Sequence, residues 1–287
     1  MIDIVVKYMH IILFISGFGA SPDYSKTMCQ ELQRLTQYKV HNMNLHHGFT
    51  LEEECRHVLA KIRPSGSVKY IIIGFSTGCL IAMSLTKFLP TDRVILCNPA
   101  EILTRLNYSF ANSLIDLETS AKMHRNLVSY RPIWDKLSKK TSKIFIRIWK
   151  NIWPLADLLW GCAIRILGSE YVAKIYYHFI ARHVNEPAAN EMAKLAFRQN
   201  LTDLRKTIIE CILKPSLFEK IQGFDKSVHI LEGMDDDIYI PYVKLLFDNN
   251  KNVSLHRTFG DHHMIYHHPI SVANKLSSII PRICPFV

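Results

Sequence analysis

The predicted fold depends on residues 69–85, which read KYIIIGFSTGCLIAMSL. The largely apolar run at 69–74 indicates a strand that is buried on both faces. A pattern typical of a helix then extends from 77 to about 88. Between the two, Gly74-Phe75-Ser76-Thr77-Gly78 matches the pattern GxSxG. The stretch therefore predicts a strand, a sharp turn and a helix.

A serine between such a strand and such a helix is the arrangement of a nucleophile elbow. The turn lifts the hydroxyl of Ser76 clear of the sheet and directs it toward the start of the helix. Gly74 and Gly78, two residues to either side, avoid steric collision there. Ser76 is therefore the predicted nucleophile. A tight strand–helix turn with an incidental serine is the alternative, since GxSxG alone is a short pattern.

The segments around this stretch alternate between strand and helix patterns. Thr50 and Glu53 form a predicted capping box at the start of one of the helices. Strands that alternate with helices imply a parallel sheet with helices on both faces. The predicted strands span 3–7, 11–15, 38–45, 69–74 and 93–97, and the predicted helices span 25–37, 51–62 and 77–88.

The pattern changes after about residue 100. Only helical periodicity occurs from 101 to 214, and strand patterns return at 228–231 and 253–257, with helices from about 241 and after 269. The simplest arrangement is a core of residues 1–100 and 216–287 that is interrupted by a helical cap at 101–215. The cap is expected to lie over one edge of the sheet.

A glycine-rich turn follows the strand predicted at 11–15. Gly17 and Gly19 lie within the sequence SGFGAS at 16–21, where backbone N–H groups can point at a developing negative charge. The predicted donors of this oxyanion hole are the N–H groups of Phe18 and of Thr77, the residue after the predicted nucleophile. A phosphate-binding loop is disfavoured, because GxGxxG and GxxxxGK[ST] are both absent here.

In these motifs the chain resembles the α/β-hydrolase superfamily, whose members often have His-Gly-Phe-Gly-Ala-Ser after the first buried strand. This sequence has Ser16 in place of that histidine. The resemblance covers 1–100 and 216–287. It implies a mostly parallel central sheet flanked by helices, with an inserted all-helical cap, and a catalytic serine, acid and histidine in that chain order.

The resemblance also locates the acid after the strand at 228–231. Counting three residues on from Gly233 gives Asp236, whereas counting back from Pro241 gives Asp237. We prefer Asp236 and keep Asp237 as the alternative, with Asp235 interpreted as a solvated turn residue. A minority of the superfamily takes its acid after the strand at 93–97, which makes Glu101 a reserve candidate.

The histidine of the superfamily precedes a proline by seven residues. His262 stands seven residues before Pro269 and is therefore preferred to His263, although Asp261 stands where the family commonly has glycine. His262 would take the proton of Ser76, and the acid would orient and stabilise the imidazole. No metal site is predicted, because no carboxylate or cysteine spacing completes the histidine cluster. His267 and His268 are expected at a solvated helix start.

The composition of the chain indicates which partners and which cellular location are expected. The 287 residues carry a formal net charge of +10, and the densest basic stretch lies at 139–150. Weak association with an anionic membrane surface is therefore expected. Nucleic-acid binding is not expected, because the sequence contains no nucleic-acid-binding motif. Seven scattered cysteines without a CxxC pair indicate reduced thiols in a cytoplasmic protein. No apolar run reaches the roughly 20 residues of a membrane span, and the run at 11–15 is interpreted as a core strand rather than a signal peptide.

The cap suggests the substrate. Its segment 145–160 is rich in large apolar and aromatic residues, which favours an apolar acyl or alkyl group over a sugar, although most of this stripe is expected simply to pack against the core. The preferred function is cleavage of a lipid-like carboxylic ester through an acyl-serine intermediate, without a cofactor. Thioester or amide cleavage by the same triad is the alternative enzyme, and ligand binding without catalysis is the alternative from another class.

Overall fold

The structure is a computed structural model of the chain, and it describes residues 9–17, 20, 22–46, 49–64, 68–99, 159, 162, 166, 217–235 and 251–280. The strand predicted at 3–7 and the helix predicted from 241 lie outside these residues, and so does the cap at 101–215 apart from the exposed helical positions 159, 162 and 166. The same holds for the basic stretch at 139–150. The proposed domain boundaries therefore stay predictions.

The described strands form one six-stranded sheet in the order β2-β1-β3-β4-β5-β6, and every neighbouring pair is parallel. This confirms the predicted parallel sheet. The strands are β1 (Met9–Ile15), β2 (Lys39–Met43), β3 (Val68–Phe75), β4 (Thr91–Cys97), β5 (Val228–Gly233) and β6 (Val253–Thr258).

Helices cover both faces of the sheet, and this explains why consecutive residues of β1 and β3, at 11–15 and 70–73, are apolar. One core cluster packs α2, α3 and α4 against side chains such as Leu13 and Ile72. The other packs α1, α5 and α6 against the alternate side chains, such as Phe14 and Ile73. The helices are α1 (Lys26–Thr36), α2 (Leu51–Ile62), α3 (Gly78–Leu85), α4 (Leu217–Gln222), α5 (Met264–His267) and α6 (Pro269–Ile279).

Local sequence signals account for several boundaries. Thr50 accepts the N–H of Glu53 and Glu53 accepts the N–H of Thr50, so the predicted capping box is present at the start of α2. The helix predicted to reach residue 88 ends at Leu85, and α4 and α5 are short helices that the periodicity did not predict. Among the described residues, no helix combines the length and apolar character that crossing a bilayer requires.

The order of the strands in the sheet indicates where a ligand would bind. The chain continues from β2, on one side of β1, to β3 on the other side, so the order reverses between β1 and β3. In open parallel sheets, ligands bind beyond the carboxyl ends of the strands at such a switch point. Ser16 follows β1 and Ser76 follows β3, and both therefore lie at this edge.

A buried carboxyl group on α2 makes the stability of this fold depend on pH. Glu54 is fully buried; its Oε2 accepts the N–H of His46 at 3.1 Å, and its Oε1 has no hydrogen-bond partner in the described part of the chain. Burial raises the pKa of the Glu54 carboxyl to about 7. The folded protein therefore holds a proton that the unfolded chain releases near pH 4.5.

We expect the free energy of unfolding to fall as the pH rises from about 4.5 through 7, by at most about 3.5 kcal/mol at about 1.4 kcal/mol per pKa unit. Glu54→Gln should remove this part of the pH dependence, because the amide stays neutral. Urea unfolding of wild type and variant near pH 5 and pH 8 measures it. The control is Glu52→Gln, on the exposed side of the same helix. Equal pH dependence in wild type and Glu54→Gln would contradict the expectation.

Candidate active site

Ser76 lies in a strained turn between β3 and α3. Its φ is 52°, in the left-handed region that costs a non-glycine residue about 1–2 kcal/mol. Its N–H donates to the carbonyl of Cys97 at 2.9 Å, and its carbonyl accepts the N–H of Cys79 at 3.1 Å. These bonds hold the turn in place, and the residue is partly exposed at the carboxyl edge of the sheet.

Gly74 and Gly78 allow the backbone segments around this turn to approach closely. A Cβ at Gly74 would lie 2.5 Å from the Cα of Cys79, and one at Gly78 would lie 2.4 Å from the carbonyl oxygens of Ile15 and Ser16. These neighbours are backbone atoms, which cannot rotate away as a flexible side chain can. The GxSxG pattern therefore has a steric basis in this chain.

We expect Gly78→Ala to destabilise the fold by about 3 kcal/mol, because overpacking against two carbonyl groups outweighs the gain of about 1 kcal/mol in helix propensity. The thermal unfolding midpoint and urea unfolding measure this. Gly223→Ala, at an exposed glycine after α4, is the matched control and should change the stability little. A Gly78→Ala protein as stable as the wild type would contradict the close packing of this turn.

His262 is the histidine that contacts the serine. Its Nε2 lies 3.1 Å from the Oγ of Ser76, and its ring centroid lies 5.4 Å from that of Phe75. The imidazole is buried, in the loop that connects β6 to α5. When Nδ1 carries the ring proton, Nε2 can accept the hydroxyl hydrogen of Ser76, as a general base requires.

The other histidines of the cluster have different partners. His263 is also buried, and its Nδ1 lies 2.7 Å from the hydroxyl of Tyr24, whose ring stacks on Phe75. The carboxylate of Asp261 accepts the N–H of His263 at 2.8 Å and lies 3.2 Å from Nδ1 of His267. Asp261, at the position where the superfamily commonly has glycine, therefore connects the loop at His263 to the end of α5 at His267.

The interpretation of His267 as part of a solvated helix start is wrong. His267 ends the short helix α5, and its side chain is only 14 % exposed because it packs against Asp261. His268 directly precedes α6, and its ring contacts Phe259. The periodicity did not predict α5, and for this reason both histidines were assigned to the start of a single helix.

The segment that leads from β5 toward the predicted acid contacts the histidine loop through residues 234 and 235. The N–H of Met234 donates to Thr258 and the N–H of Asp235 donates to Gly260, both at 3.0 Å. Asp235 lies in an exposed turn, as expected. Asp236 and Asp237 lie outside the described residues, and so does Glu101. The assignment of the acid therefore stays a prediction.

The predicted oxyanion hole is described in part. Thr77 is buried directly after Ser76, whereas Phe18 and Gly19 lie outside the described residues. A Cβ at Gly17 would lie 2.9 Å from the Cβ of Ser76, so the loop after β1 passes close to the serine. The two predicted N–H donors stay a prediction.

Ser16 has a hydrogen-bond partner of its own at the position where the superfamily often has histidine. Its hydroxyl donates to Oδ1 of Asn44 at 3.3 Å, and its N–H donates to the carbonyl of Met43 at 2.9 Å. These two bonds tie the loop after β1 to the end of β2. The replacement of histidine by serine therefore leaves this loop anchored.

The sequence analysis missed two partners at this edge, Tyr24 and Asn98. Asn98 follows β4, and its side chain bonds to the histidine loop and to β5. A signal was available for Asn98, because a polar residue directly after a buried parallel strand lies at the same edge as Ser76. The Tyr24–His263 contact spans 239 residues, and no local pattern indicates it.

Within the described ranges, no group of three or more histidine, cysteine, aspartate or glutamate residues is placed to hold a metal ion. Cys29, Cys55, Cys79 and Cys97 are buried free thiols, and Cys162 is an exposed one.

Comparison with known proteins supports the fold. No family model and no curated protein matches the sequence. Among solved structures, a carboxylesterase of Nitrososphaera gargenis is 14 % identical, with 96 % of this chain and 90 % of that chain covered and a TM-score of 0.59. A lipase-esterase related protein of Clostridium acetobutylicum is 15 % identical, with 96 % of both chains covered and a TM-score of 0.57. An enol-lactonase of Burkholderia xenovorans is 12 % identical, with 93 % and 89 % covered and a TM-score of 0.57.

At these identities the likeness shows the fold and leaves the activity open. It agrees with the parallel sheet flanked by helices. The predicted fold class is confirmed: this chain has the α/β-hydrolase fold.

Proposed function

We propose that the protein is a serine hydrolase that cleaves a carboxylic ester through an acyl-serine intermediate. The observation that carries this proposal is the distance of 3.1 Å between Oγ of Ser76 and Nε2 of His262, two residues that are 186 positions apart in the chain. A serine hydroxyl is a poor nucleophile by itself and needs an adjacent base. The strained φ of Ser76 adds support, because such strain concentrates at functional sites.

The proposed reaction begins when His262 takes the hydroxyl proton and Oγ of Ser76 attacks the ester carbonyl. The carbonyl oxygen becomes an oxyanion, which the N–H groups of Thr77 and Phe18 would stabilise. His262 then gives the proton to the departing alkoxide, and the alcohol leaves. Water repeats the sequence on the acyl-serine and releases the carboxylic acid. Asp236, with Asp237 as the alternative, would hold the imidazole in the required tautomer.

We propose an apolar acyl group for the substrate, because the segment at 145–160 is rich in large apolar side chains. Solved structures with the same fold include carboxylesterases, an enol-lactonase and a thioesterase domain. Thioester or amide cleavage would use the same serine and base. Substrate assays separate these outcomes from ester cleavage.

A fluorophosphonate probe tests the nucleophile directly, because it forms a covalent bond with an activated serine. We expect one labelled peptide in the wild-type protein, carrying the label on Ser76. Ser84, a buried serine on α3, provides an internal comparison in the same digest and should stay unlabelled. No labelling at a probe concentration that labels a known serine esterase would contradict the proposal.

A series of p-nitrophenyl esters with acyl chains from two to twelve carbons tests the acyl group. We expect kcat/KM to rise with chain length, because each methylene buried in an apolar pocket contributes about 0.8 kcal/mol. A preference for acetate over every longer chain would contradict an apolar substrate. If the protein cleaves thioesters or anilides but not these esters, the proposed ester hydrolase is wrong and thioester or amide cleavage is supported instead.

A further inference from the structure

Asn98 occupies a buried position in the middle of the carboxyl edge of the sheet. It directly follows β4, is 0 % exposed and has a φ of 43°. Asparagine adopts this left-handed conformation more readily than other non-glycine residues, because its short side chain can bond locally. The surroundings must still hold the residue in this conformation, and the bonds of its side chain do so.

The side-chain amide of Asn98 bonds to two different loops. Its Nδ2 donates to the carbonyl of Asp261 and to the carbonyl of His262, both at 3.1 Å. Its Oδ1 accepts the N–H of Gly233, at the end of β5, at 2.8 Å. Both amide hydrogens and the carbonyl oxygen are therefore used.

The backbone next to this side chain extends the network to the serine turn. The N–H of Asn98 donates to the carbonyl of Leu231, and the preceding carbonyl, that of Cys97, accepts the N–H of Ser76, both at 2.9 Å. Cys97 thus bonds to the turn of Ser76, and Asn98 bonds to β5 and to the loop of His262.

We propose that Asn98 is a positioning residue, which sets the distance between His262 and Ser76 by holding the backbone of His262 at its carbonyl. This inference rests on the proposed function, since the distance matters for catalysis only if His262 acts as the base. A displacement of about 1 Å at reacting groups can cost about a hundredfold in rate. Asn98 itself touches neither the hydroxyl of Ser76 nor the ring of His262 in any bond described above.

The chemistry of the amide explains why few residues can replace it. An aspartate keeps the acceptor for Gly233 but presents a carboxylate oxygen to the two carbonyl oxygens, which repel it. In its protonated form the same side chain can donate to one of these carbonyls. The labelling rate of Asn98→Asp, divided by that of the wild type, should therefore be higher at low pH than at high pH. The same ratio for Asn98→Ala should not change with pH.

The experiment compares the wild type, Asn98→Ala, Asn98→Asp and Leu276→Ala in the rate of fluorophosphonate labelling and in the thermal midpoint. Leu276 is fully buried near the end of α6, so its variant is a control for lost stability without a change at the site. We expect labelling of Asn98→Ala to be about a hundredfold slower than that of the wild type. Leu276→Ala, with a comparable fall in the midpoint, should label within about threefold of the wild type.

The imidazole of His262 gives a readout that does not depend on activity. Its NMR signals, assigned by their loss in His262→Gln, should shift in Asn98→Ala and stay in place in Leu276→Ala. Unchanged signals, or labelling of folded Asn98→Ala within threefold of the wild type, would overturn the inference. If Asn98→Ala does not fold, the pH dependence of labelling in Asn98→Asp is the test. A ratio of the Asn98→Asp labelling rate to the wild-type rate that stays constant across the pH range would overturn the inference.

The two proposals can fail separately. A wild-type protein that does not label contradicts the proposed function, and the His262 signals of Asn98→Ala then decide whether Asn98 positions the histidine. A wild-type protein that labels on Ser76, together with an Asn98→Ala protein that labels equally fast, contradicts only the role of Asn98.

Discussion

Ser76→Ala is expected to lower kcat for ester hydrolysis by about 10⁴- to 10⁶-fold, because the acyl intermediate can no longer form. Alanine is the informative substitution at this position. It must adopt the same φ of 52° as serine, so the strain in the turn is unchanged, whereas glycine would relax it. The measurement is kcat on the best p-nitrophenyl ester, with the thermal midpoint as the check of folding.

Ser84→Ala is the matched control for this variant. Ser84 is a buried serine on α3, and its hydroxyl donates to the carbonyl of Leu80 at 2.7 Å. Its removal should leave kcat within about twofold, because the lost hydrogen bond contributes only about 1 kcal/mol to stability and lies outside the site. A Ser76→Ala protein that retains a tenth of the wild-type kcat would exclude Ser76 as the nucleophile.

His262→Gln is expected to lower kcat by a similar factor of about 10⁴ to 10⁶, because glutamine fills much of the same space but cannot take a proton. The adjacent residue offers an unusually close control. His262 and His263 are 6 % and 5 % exposed, so both substitutions disturb a buried ring in the same loop. Only His262 lies at hydrogen-bond distance from Ser76, while His263 contacts Tyr24.

His263→Gln should therefore reduce stability by about 1–3 kcal/mol, through the lost contact with Tyr24, and should change kcat by less than about tenfold. Measuring kcat and urea unfolding for both variants separates the two effects. Equal losses of kcat in the two variants would contradict the assignment of His262 as the base. A larger loss in His263→Gln would indicate that His263 is the base instead.

The strands were predictable because both faces of the sheet are covered. The largely apolar segments at 11–15, 69–74, 93–97 and 228–231 each correspond to an observed strand. The observed β5 continues to Gly233, beyond its apolar run, because parallel pairing with β6 continues through Glu232 and Gly233. Strand pairing is a tertiary contact, and so the ends of strands follow their neighbours rather than their own composition.

The connections of the histidine loop were not predictable from spacing. Counting back from Pro269 selected His262 but assigned no role to Asp261, His263 or His267. The structure joins these three residues, through the backbone N–H of His263 and the side chains of Asp261 and His267, in one network that also includes Tyr24, more than 230 residues earlier in the chain. Such a contact depends on how α1 and α5 pack on the same face of the sheet, and no local pattern records that packing.

The candidate histidine was selected by the spacing that the resemblance to the α/β-hydrolase superfamily implies, whereas the parallel sheet, the sharp turn at Ser76 and the candidate serine are predictable from the sequence alone. These follow from local rules: apolar runs form buried strands, and glycines are required where backbones meet closely. Only the tertiary structure decided that His262 lies 3.1 Å from Ser76 and that Asn98 holds its loop. The physical reason is that parallel strands align their carboxyl ends at one edge, which brings together residues that are far apart in the chain.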